Sequence, residues 1–257
     1  MRTLLIRILA GMAGLLALAA LLMLAGAIIQ GPMTTYRVLR YGDSTIEDYK
    51  LFFPARRLTA SKSPFPLADE PARSLGPLQV GGLGSIDLEP FLEQTGSIAF
   101  LVVRGDTVVS ERYFSGHGPA AISQAFSASK SVLSILVGAA LQDGIIRSVD
   151  QSVTDYVPEL SGRGFDDVSI LDLLHMKSGM DYVENDNPFG IHVRFNYTPR
   201  LEDEILALRH SGGKPNRFIY KSGDSALLAL ILKRALGGKT ITQYTQERLW
   251  GPAGHGA

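Results

Sequence analysis

The chain is 257 residues long, with 46% hydrophobic and 19% charged residues, a balance that suits a folded core and excludes a disordered polymer. Lys and Arg number 25 and Asp and Glu also 25, so the formal net charge is 0; with no clustered basic face, nucleic acid is not an expected partner. Cysteine is absent, which excludes disulfides and a lipid-modified cysteine and leaves a structural zinc site little to build on.

Ile8 to Ile29 carries no charge, is about as long as a bilayer-spanning helix and is preceded by Arg2 and Arg7. Residues 1–32 are therefore read as a membrane anchor or signal segment. Ala25-Gly26-Ala27 has the small residues of a cleavage site, but the apolar run exceeds a usual signal core, so an uncleaved anchor is favoured. Cationic flanks stay cytoplasmic, which places the remainder in the periplasm or outside. Residues 33–95, with Pro64-Phe65-Pro66 and Gly81-Gly82, read as an extended linker, and 96–257 as one domain.

Ile98 to Val103 and Thr107 to Phe114 are β-prone runs separated by Arg104-Gly105-Asp106, the pattern of a hairpin. Helical patterns dominate afterwards, which predicts an α+β fold, a sheet with helices on its faces. The first helix has Val132, Ile135, Leu136, Ala139 and Ala140 on one face and Gly144 as its stop. Ser127 lies at its start, where the helix dipole favours negative charge, and Lys130 follows one turn on. A serine hydroxyl needs a base to become a nucleophile, and a desolvated lysine is such a base. Tyr220, in Tyr220-Lys221-Ser222, is placed as a proton relay between nucleophile, lysine and leaving group. The plain alternatives are an N-cap serine with a solvated lysine and an aromatic beside a loop.

Other matches carry less. Ser211-Gly-Gly-Lys214 repeats the Ser-x-x-Lys spacing but reads as a turn, and Tyr113-Phe-Ser115 closes a strand. The 5 histidines, His117, His175, His192, His210 and His255, lack metal-type spacing, so no metal is expected. His175, in the run Ile170 to Lys177, reads as a packed or capping residue. No Gly-x-Ser-x-Gly elbow occurs, against an α/β-hydrolase triad, and Gly237-Gly238-Lys239-Thr240 is a helix stop. Ser222-Gly223-Asp224 is open to two readings that hold together, a site serine and a cap for a helix from Ser225 to Ala235. Tyr182 to Asn187 is an acidic, Asn-rich loop that reads as solvated or as a rim over the site.

The Ser127/Lys130 and Tyr220/Ser222 motifs, with Leu141-Gln142-Asp143-Gly144, Asp150 through Tyr156-Val157-Pro158-Glu159-Leu160 and Val168 to Met180, resemble the serine β-lactamase and penicillin-binding superfamily. The resemblance runs from about Ile98 to Trp250 and is greatest to the class C-like branch of esterases, D-amino-acid peptidases and 6-aminohexanoate-oligomer hydrolases; Ile46 to Phe52 resembles that subgroup too. It implies a β-lactamase/transpeptidase-like fold, an antiparallel sheet flanked by helices plus a helical lobe. It further implies Ser127 as the acylated nucleophile, Lys130 as its base and Tyr220 as relay, with Ser222 and Tyr182 on the substrate side and no cofactor. Ser222 stands where β-lactamases usually have asparagine, which turns the expectation from β-lactams towards amides and esters. In that family later strands bring a Lys/His-Thr/Ser-Gly segment and half of the oxyanion hole. After Leu249-Trp250 this chain reads Gly-Pro-Ala-Gly-His-Gly-Ala, so the resemblance implies the amino-terminal part of a longer domain, its carboxyl-terminal strands missing. The expected function is a serine hydrolase acting on an amide or ester of a small-molecule or peptide-like substrate through an acyl-enzyme. The alternatives are an inactive peptidoglycan- or peptide-binding homologue, a non-functional fragment, and a D-Ala-D-Ala carboxypeptidase. Oligomeric state is not legible.

Overall fold

The computed structural model describes residues 2–51, 55–69, 76–82, 84–210, 213 and 217–255. The second Ser-x-x-Lys, Ser211 to Lys214, falls outside the described residues except for Gly213, as does Phe52 of the Ile46 to Phe52 stretch. Two compact units share the chain, Met1–Arg56 with Ala125–Leu249, and Arg57–Gln124 with Trp250–Ala257.

The first unit opens with α1, Arg2–Gln30, in which Ile6–Gln30 is long and apolar enough to cross a membrane, with a mean hydropathy of 2.5. Gly31, at φ 87, breaks the helix, and Pro32 at the first helical position starts α2, Pro32–Tyr41. The stretch after the anchor is thus not extended at its start. Thr34 and Thr35 are buried, and tertiary packing overrides their poor helix propensity.

The core of this unit is gathered on two helices. In α4, Ser129–Gln142, Leu136, Val137 and Ala140 are buried. In α8, Ser222–Ala235, burial extends almost all round, through Leu227, Leu228, Leu230, Ile231 and Leu232, as expected of a helix enclosed by its neighbours. It packs on α4 and on α5, Ile170–Leu174, whose start is fixed by a reciprocal capping box between Ser169 and Asp172. Short helical turns at Val153–Asp155 and Pro158–Leu160 carry Val153, Val157 and Leu160 into the same core. The helices α6, Ile191–Tyr197, and α7, Leu201–Leu206, add Phe195 and Ile205. Gly237, at φ 59, follows α8, and Thr240 with Gln243 forms a capping box for α9, Ile241–Thr245. The Gly237 to Thr240 stretch is therefore a helix stop and the next helix start.

In the second unit β4, Ala99–Arg104, pairs antiparallel with β5, Thr107–Tyr113, around Gly105-Asp106, the hairpin expected. Gly105 sits at φ 60, as such a tight turn requires. A short parallel strand, β1, Ala68–Asp69, adds to β5, so the order in this sheet is β1-β5-β4. A separate hairpin joins β2, Leu78–Val80, to β3, Gly84–Ile86, and α3, Leu88–Gln94, buries Leu88 and Leu92.

Candidate active site

Ser127 lies in a 3-10 turn, Phe126–Ala128, that runs directly into α4. The residue before it, Phe126, has φ 43, a left-handed conformation that costs a β-carbon-bearing residue of order 1–3 kcal/mol and is characteristic of functional sites. Lys130, one turn along, donates from Nζ to Ser127 Oγ at 3.0 Å. Tyr220 approaches from just before α8 and donates from its hydroxyl to the same Oγ at 2.8 Å. The Lys130 ammonium also lies 5.1 Å from the centroid of the Tyr220 ring. Hydrogen bonding with Ser127, then with Lys130, and the lysine charge hold the Tyr220 phenol below its ordinary value of 10.0. Three groups able to attack, accept a proton and pass it on converge on one exposed oxygen.

Ser222 is the first residue of α8, not a cap before a helix at Ser225; Lys221 holds the N-cap position. The Ser222 N–H and Oγ donate to the two carboxylate oxygens of Glu184, at 2.8 and 2.7 Å. Glu184 also lies 3.4 Å from His192 Nδ1, and that nitrogen is 2.9 Å from the Tyr182 hydroxyl. Tyr182 is buried, with 5% exposure, and burial pushes its phenol well above the ordinary value. Its ring meets Phe195 edge-on at 5.2 Å. Beside Lys130 and Ser222 a groove of 340 Å³ opens between α4, α8 and α9, lined by Leu133, Ala226 and Thr245 among others.

Sequence reasoning did not single out Glu184, Asp224 or Lys221. Asp224 has 0% and Lys221 3% exposure, and Ser178 Oγ donates to Asp224 Oδ1. The other carboxylate oxygen of Asp224 and Nζ of Lys221 are buried without a hydrogen-bond partner. His175 caps the end of α5, and among the described residues no group of His, Asp and Glu is arranged to hold a metal.

Gly223 is where α8 passes closest to Tyr182. A β-carbon there would lie 2.7 Å from Tyr182 Cδ2 and 2.8 Å from Met180 Sδ. Met180 has freedom to yield, but Tyr182 is pinned by its bond to His192 and its contact with Phe195. Gly223→Ala is expected to lose about 1–3 kcal/mol to overpacking, more than the ~0.5–1 kcal/mol that alanine gains in a helix. Denaturant unfolding of both forms reads the sign; an unchanged or raised stability would show that Tyr182 gives way.

A family model described as Beta-lactamase matches residues 87–256. The chain belongs to the β-lactamase family. Among curated relatives of this β-lactamase-family chain, the 6-aminohexanoate-dimer hydrolase of Paenarthrobacter ureafaciens is 36% identical over 162 residues, 59% of this chain and 41% of that protein. Among solved structures, a Bacillus anthracis protein described as a 6-aminohexanoate-dimer hydrolase superposes with a TM-score of 0.69 at 19% identity, covering 82% of this chain and 58% of that one. The likeness fixes the β-lactamase-like fold, and the chain spans about two-fifths of the curated relative's length, 41%.

Proposed function

We propose that this chain carries the nucleophilic half-site of an extracytoplasmic serine hydrolase that cleaves amide bonds through an acyl-enzyme on Ser127. The observation that supports it is the convergence of Lys130 Nζ and Tyr220 Oη on Ser127 Oγ, at 3.0 and 2.8 Å. As Oγ bonds to the carbonyl carbon, Lys130 in its uncharged amine form takes the Oγ proton and becomes the ammonium, and Tyr220 passes its proton to the leaving nitrogen as the C–N bond breaks. In the second half, water attacks the ester carbonyl, its proton leaves by the same pair, and Oγ regains a hydrogen. The start of α4 turns its dipole towards charge developing at Ser127.

Ser222 and its Glu184 partner form the substrate-side wall in this reading, and Tyr182 supports that wall from beneath through Gly223. An amide is favoured over a β-lactam by Ser222 and by the name of the curated relative. α1 is the anchor, and Arg2 and Arg7 in its amino-terminal turns favour a cytoplasmic amino terminus.

Intact-mass analysis with a membrane-impermeant fluorophosphonate tests both parts. One adduct on intact cells, mapped to Ser127 and lost in Ser127→Ala, is the expected result. Equal labelling of Ser127→Ala would sink the assignment of the nucleophile, and labelling only after permeabilisation would reverse the orientation.

A further inference from the structure

The helix α2 is built inside out. Its buried side chains are Thr34 and Thr35, whereas Met33, Tyr36 and Leu39 are 50%, 57% and 65% exposed. These three recur at every third residue and form one stripe, with the exposed Arg40 alongside. A helix in water places its polar face outward, the reverse of this one.

The inward face is held firmly, so the exposed stripe is not a frayed end. Thr35 Oγ1 donates to the Gly31 carbonyl at 3.0 Å and accepts from Gln30 Nε2 at 3.5 Å. Its methyl group occupies the space left by Gly26, where a β-carbon would lie 2.8 Å from Thr35 Cγ2. Arg37 Nη1 donates to the Tyr197 carbonyl at 3.1 Å, and the Tyr197 hydroxyl donates to the Gly42 carbonyl. α2 is thereby tied to the last turns of α1 and to α6. The last turn of α1 likewise exposes apolar side chains, Ile28 at 76% and Ile29 at 55%.

We propose that α2 lies in the headgroup region of the bilayer that α1 enters, with Met33, Tyr36 and Leu39 against the acyl boundary. Only Gly31 separates the two helices, so a spanning α1 delivers α2 to the membrane surface. The side chains suit that depth: Met and Leu are apolar, Tyr has an apolar ring with a polar tip, and the stem of Arg40 lets its charge reach the phosphates. Through Tyr197 and α6 the stripe also fixes how the Ser127-bearing unit meets the lipid. The inference rests on α1 crossing the bilayer and is independent of the chemistry at Ser127.

Because the native chain has no cysteine, single labels are unambiguous. The full chain is reconstituted at one copy per lipid nanodisc with an environment-sensitive fluorophore on Met33→Cys, Tyr36→Cys or Leu39→Cys. Asp167→Cys, an exposed position elsewhere in the same unit, gives the aqueous reference, and Leu16→Cys reports on α1. The expected result is blue-shifted emission at 33, 36 and 39, quenched by a lipid with a nitroxide near its headgroup, with no quenching at 167. Water-like emission at 36 and 39 would overturn the proposal. Shielded emission that lipid nitroxide does not quench would also overturn it, by assigning the stripe to a protein contact. A label at 16 that a deep nitroxide does not reach would remove its premise and overturn it as well.

Discussion

Lys130→Ala is expected to slow acylation of Ser127 by about two to four orders of magnitude, the usual range for losing a positioned acid–base group. Nζ of Lys130 lies 3.0 Å from the nucleophilic oxygen, within direct transfer distance. The effect has a second component that sets it apart from misfolding. Hydrogen bonding with Ser127 and with Lys130 holds the Tyr220 phenol below its ordinary value, so without Lys130 the phenol must titrate at higher pH. The alkaline limb of the pH–acylation profile should therefore move upward in Lys130→Ala, while far-ultraviolet dichroism stays that of the native chain. An unshifted limb with a slowed rate would show that Lys130 acts alone and does not tune Tyr220. Tyr220→Phe removes the limb itself in this scheme.

Asp224→Asn is expected to change the pH dependence of stability more than its value at any one pH. Asp224 is fully buried, and burial pushes its carboxyl from 3.8 up to about 6, opposed by the hydrogen bond from Ser178 and the charge of Lys221. A raised carboxyl favours the protonated form in the folded chain. Its contribution is therefore present below the ordinary value of 3.8 and lost as pH rises through about 6. A shift of that size corresponds to about 3 kcal/mol across the window. Asparagine keeps an acceptor for Ser178 but carries no charge to bury. Denaturant unfolding of both forms in detergent, at acid and neutral pH, should show the gap between them moving in favour of the variant as pH rises. A constant gap would mean that Asp224 titrates alike in the folded and unfolded chain, and a gap moving the other way that it stays ionised when folded.

The pieces legible in the sequence are those whose signals are local. The Ser127 and Lys130 spacing on an apolar helix, the β4–β5 hairpin around Gly105 and the helix stop at Gly237 all follow from neighbours within a turn or two. The meeting of Tyr220 with Ser127 follows from no local rule; the Tyr220-Lys221-Ser222 motif and the family resemblance suggested it together. The bond from Ser222 to Glu184 joins residues 38 apart, and nothing in an acidic, Asn-rich loop marks one carboxylate as the one that turns inward. Lys221 and Asp224 carry the residue types expected on a surface, and only the packing of α8 shows them to be buried. The threonine-inward face of α2 was hidden for the same reason, since periodicity alone assigns apolar residues to the inside.

The packing of α8 on α4 bears on how such a protein changes under selection. The nucleophile stands in the turn that runs into α4, the base in the first turn of α4 and the relay just before α8, so the same buried leucines that keep the unit folded also set the distances at Ser127. Displacements near 1 Å are enough to cost about 10²-fold in rate. Variants along the facing sides of α4 and α8 should therefore lose turnover and heat resistance together, a coupled trade that leaves little room for adaptation. The exposed Asn185, Asp186 and Asn187 are under no such coupling and offer the freer ground on which a new preference can evolve.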